Sequence, residues 1–310
     1  MAPESPRPLV LEIAGIGLEV RAAEPGIRLA TDAAHTPFLA PGAGQDCASI
    51  VLAPVTTPRP PRRTGRTIFD TGAVWRLEDL GDGHLLTLRS PLYGRNPYLA
   101  VEFDQRFEAG RGETLDGGPH LLEGTMHPFV YPFDEVVFLA RLSRNRGVLV
   151  HACGLSHGGR GILLLGTSGA GKSTSARLWG QKASSTILSD DRIVIRSERE
   201  GYRIYGTPWH GEAGCESPGS VKLEAVFILE QAPRNRIVDL HPSAAVAQMM
   251  VRAFPAMWDQ SGLEFAVRFL ARMAERVPVR KLQFLPEPSA VDCVLEALDG
   301  DGTRPPGHRG

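Results

Sequence analysis

The segment Gly166, Thr167, Ser168, Gly169, Ala170, Gly171, Lys172, Ser173, Thr174 constrains this chain more than any other. It fits G-x-x-x-x-G-K-[ST], a loop whose backbone N–H groups wrap phosphates. In such a loop the lysine reaches the outer phosphates and the hydroxyl ligates Mg²⁺. Residues 161–165 (GILLL) form a short apolar run just ahead of it, as a buried parallel strand does. Residues 172–179 lack Pro and Gly and stop at Gly180, a good helix terminator. Strand, glycine loop and helix in that order set a helix N-terminus against an anion. A plain glycine turn would serve the same two elements, but motif and context together favour nucleotide binding, with ATP and Mg²⁺ as the expected ligands.

At 310 residues the chain suits one large or two ordinary domains with a real core. A hydrophobic fraction of 42% and a charged fraction of 22% describe a globular protein, and a formal charge of −1 gives no global pull toward nucleic acid or an anionic membrane. Cys47, Cys153, Cys215 and Cys293 stand far apart without a C-x-x-C pair, which argues against a disulfide framework or a zinc site and for a reducing compartment. No apolar run approaches the ~18–20 residues that span a bilayer. A cytoplasmic protein without membrane partners is the expectation.

In chain order, residues 9–22 read as a hairpin turning near Ala14-Gly15, and residues 75–80 and 85–88 as another around Gly81-Asp82-Gly83. Residues 23–70 are rich in Pro, Ala, Gly and Thr. Arg59, Arg62, Arg63 and Arg66 lie there among prolines, as a solvated loop or a patch for an acidic partner. Residues 98–103 give a further strand, and the glycine-rich stretch 110–118 reads as a break between domains. Beyond it come a helix opened by Pro132, strands at 147–155 and 161–165 joined by a Gly158-Gly159 turn, and strand-like pieces at 185–188 and 192–196. Strands at 202–205, 221–229, 236–240 and 282–285 are expected, with helices over 243–254, 262–277 and 289–298.

Phosphoryl transfer needs phosphate positioning, a metal, and a group that orients or deprotonates the acceptor. Residues 166–173 answer the first need. Asp190 and Asp191 end an apolar run eighteen residues beyond Lys172, where a carboxylate can meet a Mg²⁺ held by Ser173. One acid can face the metal while the other serves as general base, although a pair of acids also makes an ordinary polar turn. His151 lies on the strand beside the glycine loop's strand, as a core histidine or a site residue. Trp209, His210 and Glu212 form a polar–aromatic knot that reads equally as a structural loop, with Glu212 the residue able to reach Mg²⁺.

These residues together resemble the catalytic core of the HPr serine kinase/phosphorylase family, whose nucleotide site is related to that of ATP-dependent phosphoenolpyruvate carboxykinase. The resemblance runs from Gly147 to about Gln231 through His151, residues 166–173 and the Asp190-Asp191 pair. The whole chain also resembles HPr-kinase-like proteins of peptide-modification systems, including lasso-peptide maturation, in which an element similar to residues 206–212 (GTPWHGE) recurs. The resemblance implies that Lys172 and Ser173 bind phosphates and Mg²⁺. It further implies that His151 and the acids line the site, with Asp190 as base and Asp191 on the metal. The second family signature, the one that holds HPr, is missing, and the first ~120 residues match no HPr-kinase N-domain.

The expected fold class is therefore α/β, a P-loop kinase core of the HPr kinase/phosphoenolpyruvate carboxykinase type with a separate β-rich N-terminal domain. Residues 1–125 would form that N-domain, for acceptor recognition or assembly. Residues 126–300 would form the catalytic domain, and residues 301–310 a disordered tail. The expected activity is ATP- and Mg²⁺-dependent transfer to a hydroxyl, a serine of a peptide or protein. A small-metabolite kinase and a nucleotide-dependent regulator with little transfer are the alternatives, and homo-oligomerisation is left open. Catalytic residues would be Asp190, His151 and Lys172; metal ligands would be Ser173, Asp191 and Glu212.

Overall fold

The computed structural model describes residues 7–302, so the expectations for the extreme N-terminus and for residues 303–310 fall outside it. The chain is mixed α/β and divides into two compact units. One comprises Met1–Arg144 with Ala256–Gln260, the other Asn145–Pro255 with Ser261–Gly310.

The first unit is built on strands β1 (Leu9–Ile13), β2 (Ile16–Ala22), β3 (Arg28–Leu29), β4 (Leu39–Ala40), β5 (Cys47–Val55) and β6 (Arg66–Asp70). It continues with β7 (Trp75–Asp79), β8 (Gly83–Leu88), β9 (Leu99–Asp104), β10 (Ala109–Leu115), β11 (Leu121–Leu122) and β12 (Thr125–Met126). Nine of them form one sheet in the order β4-β1-β2-β5-β10-β9-β8-β7-β6, and β11-β12-β3 form a small second sheet. Both expected hairpins are present, as the antiparallel pairs β1/β2 and β7/β8.

The stretch 110–118 does not break the chain. It supplies β10, which pairs with β5 on one side and β9 on the other. Its glycines answer to packing: a Cβ on Gly110 would lie 2.9 Å from the Phe103 ring, and one on Gly112 would lie 2.3 Å from the Ala100 carbonyl oxygen. Helix α1 (Phe133–Leu142) packs on β2, so the division between the units falls after Arg144, whereas the sequence pattern assigns this helix to the catalytic domain. Among the loop arginines, Arg59 pairs with Glu113 and Arg63 with Asp82.

The second unit holds β13 (Val148–His157), β14 (Arg160–Leu165), α2 (Lys172–Gly180), β15 (Ser185–Ser189), β16 (Arg192–Glu198), β17 (Gly201–Tyr205) and β18 (Ser220–Gln231). β19 (Arg236–Asp239), α3 (Pro242–Met250), β20 (Ala253–Phe254), α4 (Gln260–Ala274), β21 (Val279–Phe284) and α5 (Ser289–Gly302) complete it. The sheet runs β14-β13-β16-β17-β18-β21-β19, with β15 and β20 added on β13. β18 also pairs with β14, which closes β14-β13-β16-β17-β18 into a ring. The helix expected over 243–254 stops at Met250. Ala253 and Phe254 instead pair with Val150 and Leu149.

Side-chain alternation along β14 explains the layering. Ile162 and Leu164 pack with Trp179 of α2 and Val291, Val294 and Leu298 of α5. Leu163 and Leu165 pack on the opposite side with Met249 of α3 and Leu270 and Met273 of α4. A strand covered on both faces is apolar throughout, hence the uninterrupted Ile-Leu-Leu-Leu. β18 shows both regimes in one strand. Its first residues alternate between exposed and buried where they pair with β17, and the stretch between β14 and β21 is buried on every residue.

Candidate functional site

β14 ends at Leu165, the glycine loop comes next, and α2 begins at Lys172. Two glycines make the loop possible. Gly169 has φ +77 and Gly171, the N-cap, has φ +105, a backbone region that disfavours a side chain. A Cβ on Gly171 would in addition lie 2.5 Å from the Phe284 ring. No side chain caps α2, so its first-turn N–H groups are left for an anion. Lys172 is 6% exposed, with Nζ donating to the Thr167 carbonyl at 3.2 Å. Burial pushes its pKa below the usual lysine value, against the pull of Asp191. Thr167, Ser168 and Gly169 are exposed at the loop's tip, while Ala170 and Thr174 are half-buried.

The acids reach this loop because two of the strands that pair with the long β13 divide its length between them. Its first half pairs with β16 and its second with β15, so the chain must jump from one to the other at Asp190-Asp191. The Ala152 N–H donates to the Asp191 carbonyl at 3.0 Å and anchors the jump. The two side chains then diverge, as neighbouring residues of an extended chain do. Asp190 is 1% exposed. Its Oδ2 accepts from Ser173 Oγ at 3.3 Å and from the Ala213 N–H at 2.9 Å, and its Oδ1 accepts from the Gly211 N–H at 2.8 Å.

Asp191 takes the other side, with Oδ1 2.7 Å from His151 Nε2 and Oδ2 bonded to the Arg192 guanidinium. The His151 and Asp191 side chains are 22% and 27% exposed, open enough for a reactant to reach. Burial raises the Asp191 pKa, but the His151 hydrogen bond and the Arg192 charge outweigh it and hold the carboxyl below its usual range. Arg192 is itself steadied by the Phe254 ring, 4.2 Å below its guanidinium carbon.

Loop 206–219 closes over the acids. Thr207 Oγ1 donates to the Arg192 carbonyl at 2.7 Å, and Gly211 and Ala213 point their N–H groups at Asp190. Gly211 has no room for a side chain, since a Cβ would sit 2.8 Å from Asp190 Oδ2 and 3.2 Å from the Asp191 Cβ. Glu212 lies between these two amides and is exposed, with no hydrogen bond or ion pair among the described residues. His210 is exposed and Trp209 buried.

The structure thus brings Lys172, Ser173, Asp190, Asp191 and His151 together around one loop and leaves Glu212 at its edge. Residues that sequence reasoning missed are the Gly211 and Ala213 amides, Arg192, Phe254 and Gln231, whose Nε2 holds the Gly169 carbonyl at 3.0 Å. A motif cannot reveal them, because each acts through a fold-dependent contact.

The donors present fit Mg²⁺, a hard ion that favours oxygen. A hydroxyl and a carboxylate oxygen converge at Ser173 and Asp190, beside a helix N-terminus suited to phosphate. Among the described residues no group of three or more His, Cys, Asp or Glu could hold a metal alone. That is the usual case for Mg²⁺, which takes one or two protein ligands and completes its shell with phosphate and water.

Residues 133–280 match the family model described as SynChlorMet cassette protein ScmC. This ScmC-like segment covers just under half of the chain and contains the glycine loop, the acid pair and loop 206–219. No curated protein matches the chain. No helix among the described residues is long and apolar enough to cross a membrane.

Proposed function

We propose that the chain is a P-loop phosphotransferase of the HPr-kinase type that transfers the γ-phosphoryl group of Mg·ATP to a hydroxyl, a serine of a peptide or protein. The observation that carries this reading is the division of the acid pair. Asp190 turns inward to Ser173 of the glycine loop, and Asp191 turns outward to His151. A protein that only bound nucleotide would have no use for the second, open carboxylate.

The loop amides and Lys172 would neutralise the phosphates. Ser173 and Asp190 would hold Mg²⁺, which supplies charge shielding at the transferred group. Asp191, kept ionised by His151 and Arg192, would take the proton of the incoming hydroxyl as its oxygen gains the phosphoryl group. His151 orients that carboxylate. These assignments exchange the roles that the family resemblance gives to the two acids, because the inner acid is the one in contact with the glycine loop.

The test is incubation with γ-labelled ATP, Mg²⁺ and a library of serine-containing peptides. Label in a peptide supports the reading, label in a small molecule moves the acceptor class, and release of phosphate alone counts against transfer. Absence of Mg·ATP binding by calorimetry would remove the proposal altogether.

A further inference from the structure

The second unit carries a cleft that takes no part in the site above. Its volume is about 340 Å³, and Ser197 and Tyr202 border it. Ser197 is near the end of β16 and Arg192, beside the acid pair, is at its start. At ~3.3 Å per strand residue the two are roughly 17 Å apart. Arg146, Arg268 and Arg272 line the cleft, and no carboxylate does. Arg268 and Arg272 are one turn apart on α4 and share a face. Arg146 comes from the chain just before β13.

An aromatic wall also lines the cleft, with Phe265 half-buried and Tyr202 and Phe269 buried. Tyr202 meets Phe269 edge-on at 5.4 Å, and Phe265 lies 5.5 Å from Phe269. Arg268 reaches Glu264 at 3.4 Å with both side chains more than half exposed, a pair of little worth in water and readily exchanged for another carboxylate. Because the whole chain carries a formal charge of only −1, the positive charge here is a local concentration.

We propose that this cleft binds an acidic peptide segment, with carboxylates on Arg146, Arg268 and Arg272 and an apolar side chain against Phe265. A lone phosphate ion would leave the aromatic wall bare, whereas an acidic peptide uses both surfaces. That the segment belongs to the phosphoryl acceptor, and docks it at a distance from its serine, rests on the phosphotransferase reading. The binding itself does not.

The experiment measures anisotropy of a short fluorescein-labelled peptide alternating glutamate with phenylalanine, titrated with the full chain without nucleotide. Saturable binding should weaken as salt rises, and by about tenfold or more in Arg268→Gln/Arg272→Gln. Arg268→Lys/Arg272→Lys should recover part of it, and Lys172→Ala should leave it unchanged. Both arginines are exposed, so the double variant should melt like wild type. Arg146→Gln, assayed alone, gives an independent second reading of the same weakening. No saturable binding, equal binding by the glutamine variants, or equal binding of a lysine–phenylalanine peptide would overturn the proposal. Tighter binding of a single-stranded oligonucleotide that those variants abolish would overturn it as well. Binding of this peptide, together with no label passed to any serine peptide in the γ-labelled ATP test, would overturn the phosphotransferase reading and leave the cleft's ligand standing.

Discussion

Ser173 donates its hydroxyl to Asp190 across 3.3 Å, and this contact joins the helix after the glycine loop to the turn between β15 and β16. Asp190 passes the connection on to loop 206–219 through the Gly211 and Ala213 amides. Three segments distant in sequence thus meet on one buried carboxylate. An ion drawn to Ser173 and Asp190 would sense the position of all three.

Lys172→Met should separate binding from stability. Lys172 is 6% exposed and its pKa is lowered by burial, so in the free protein its charge costs stability until an anion arrives. Affinity for Mg·ATP by calorimetry should fall at least a hundredfold, while the melting temperature stays level or rises. A large drop in melting temperature with affinity preserved would show Lys172 to be a structural residue.

His120 should make the first unit acid-sensitive. It is fully buried, stacks on Tyr98 and meets Phe133 edge-on. Its Nδ1 faces the His127 carbonyl at 3.1 Å and its Nε2 has no hydrogen-bond partner among the described residues. Burial pushes its pKa from 6.5 down to about 4. The folded pKa is depressed, so the unfolded chain takes up the proton first. The stabilising contribution is complete above about pH 6.5 and is lost as pH falls toward 4, by about 3 kcal/mol at most. His35 works in the opposite sense. Burial depresses its pKa, but Asp134 and Asp32 outweigh that and hold it raised, so its contribution is present at low pH and fades as pH rises. Urea unfolding of wild type and His120→Phe across this range isolates the effect, and a pH-independent difference between them would refute it.

Gly211→Ala should damage the site from outside the motif. The added methyl would lie 2.8 Å from Asp190 Oδ2 and 3.2 Å from the Asp191 Cβ, so loop or acids must shift. Positioned groups tolerate little displacement, and transfer from Mg·ATP should fall by about 10²-fold while the protein still folds. Wild-type turnover in this variant would show that the loop's position is irrelevant to chemistry.

What could be read in advance divides along a physical line. Residues 161–180 announced their strand, loop and helix because burial on both faces, two glycines and a helix N-terminus leave local marks. The Asp190-Asp191 turn was legible as a pair of acids after a strand. Which acid faces the glycine loop depends on β13 changing partners from β16 to β15, a tertiary fact. Gly110 and Gly112 misled for a similar reason: glycine marks a turn and a tight inter-strand contact alike, and only the neighbouring Phe103 and Ala100 distinguish them. Ala253 and Phe254 continue a helical pattern in sequence, yet pairing with β13 draws them into the sheet.

Asp190→Asn and Asp191→Asn should fail differently. Asp190 is buried and already accepts two backbone N–H bonds and the Ser173 hydroxyl. An amide in its place must turn an NH₂ group toward one of these donors, which costs roughly 1–3 kcal/mol and removes a charge suited to Mg²⁺. Asp190→Asn should therefore lower the melting temperature and raise the Mg²⁺ concentration needed for half-maximal nucleotide binding. Asp191 is more open, and its partners are His151 and Arg192, which an amide oxygen can still engage in part. Asp191→Asn should keep Mg·ATP affinity within a few-fold and lower transfer by roughly 10²–10⁴, the worth of a positioned base. The pH profile adds a further sign. The carboxyl's pKa is held below its usual value, so wild-type activity should persist as pH falls into the range in which ordinary carboxylates protonate. Melting, a Mg²⁺ titration of ATP affinity and single-turnover transfer, measured on both variants, decide the matter. If Asp191→Asn loses metal dependence while Asp190→Asn loses only turnover, the inner acid is the base and the two roles are the reverse of those proposed.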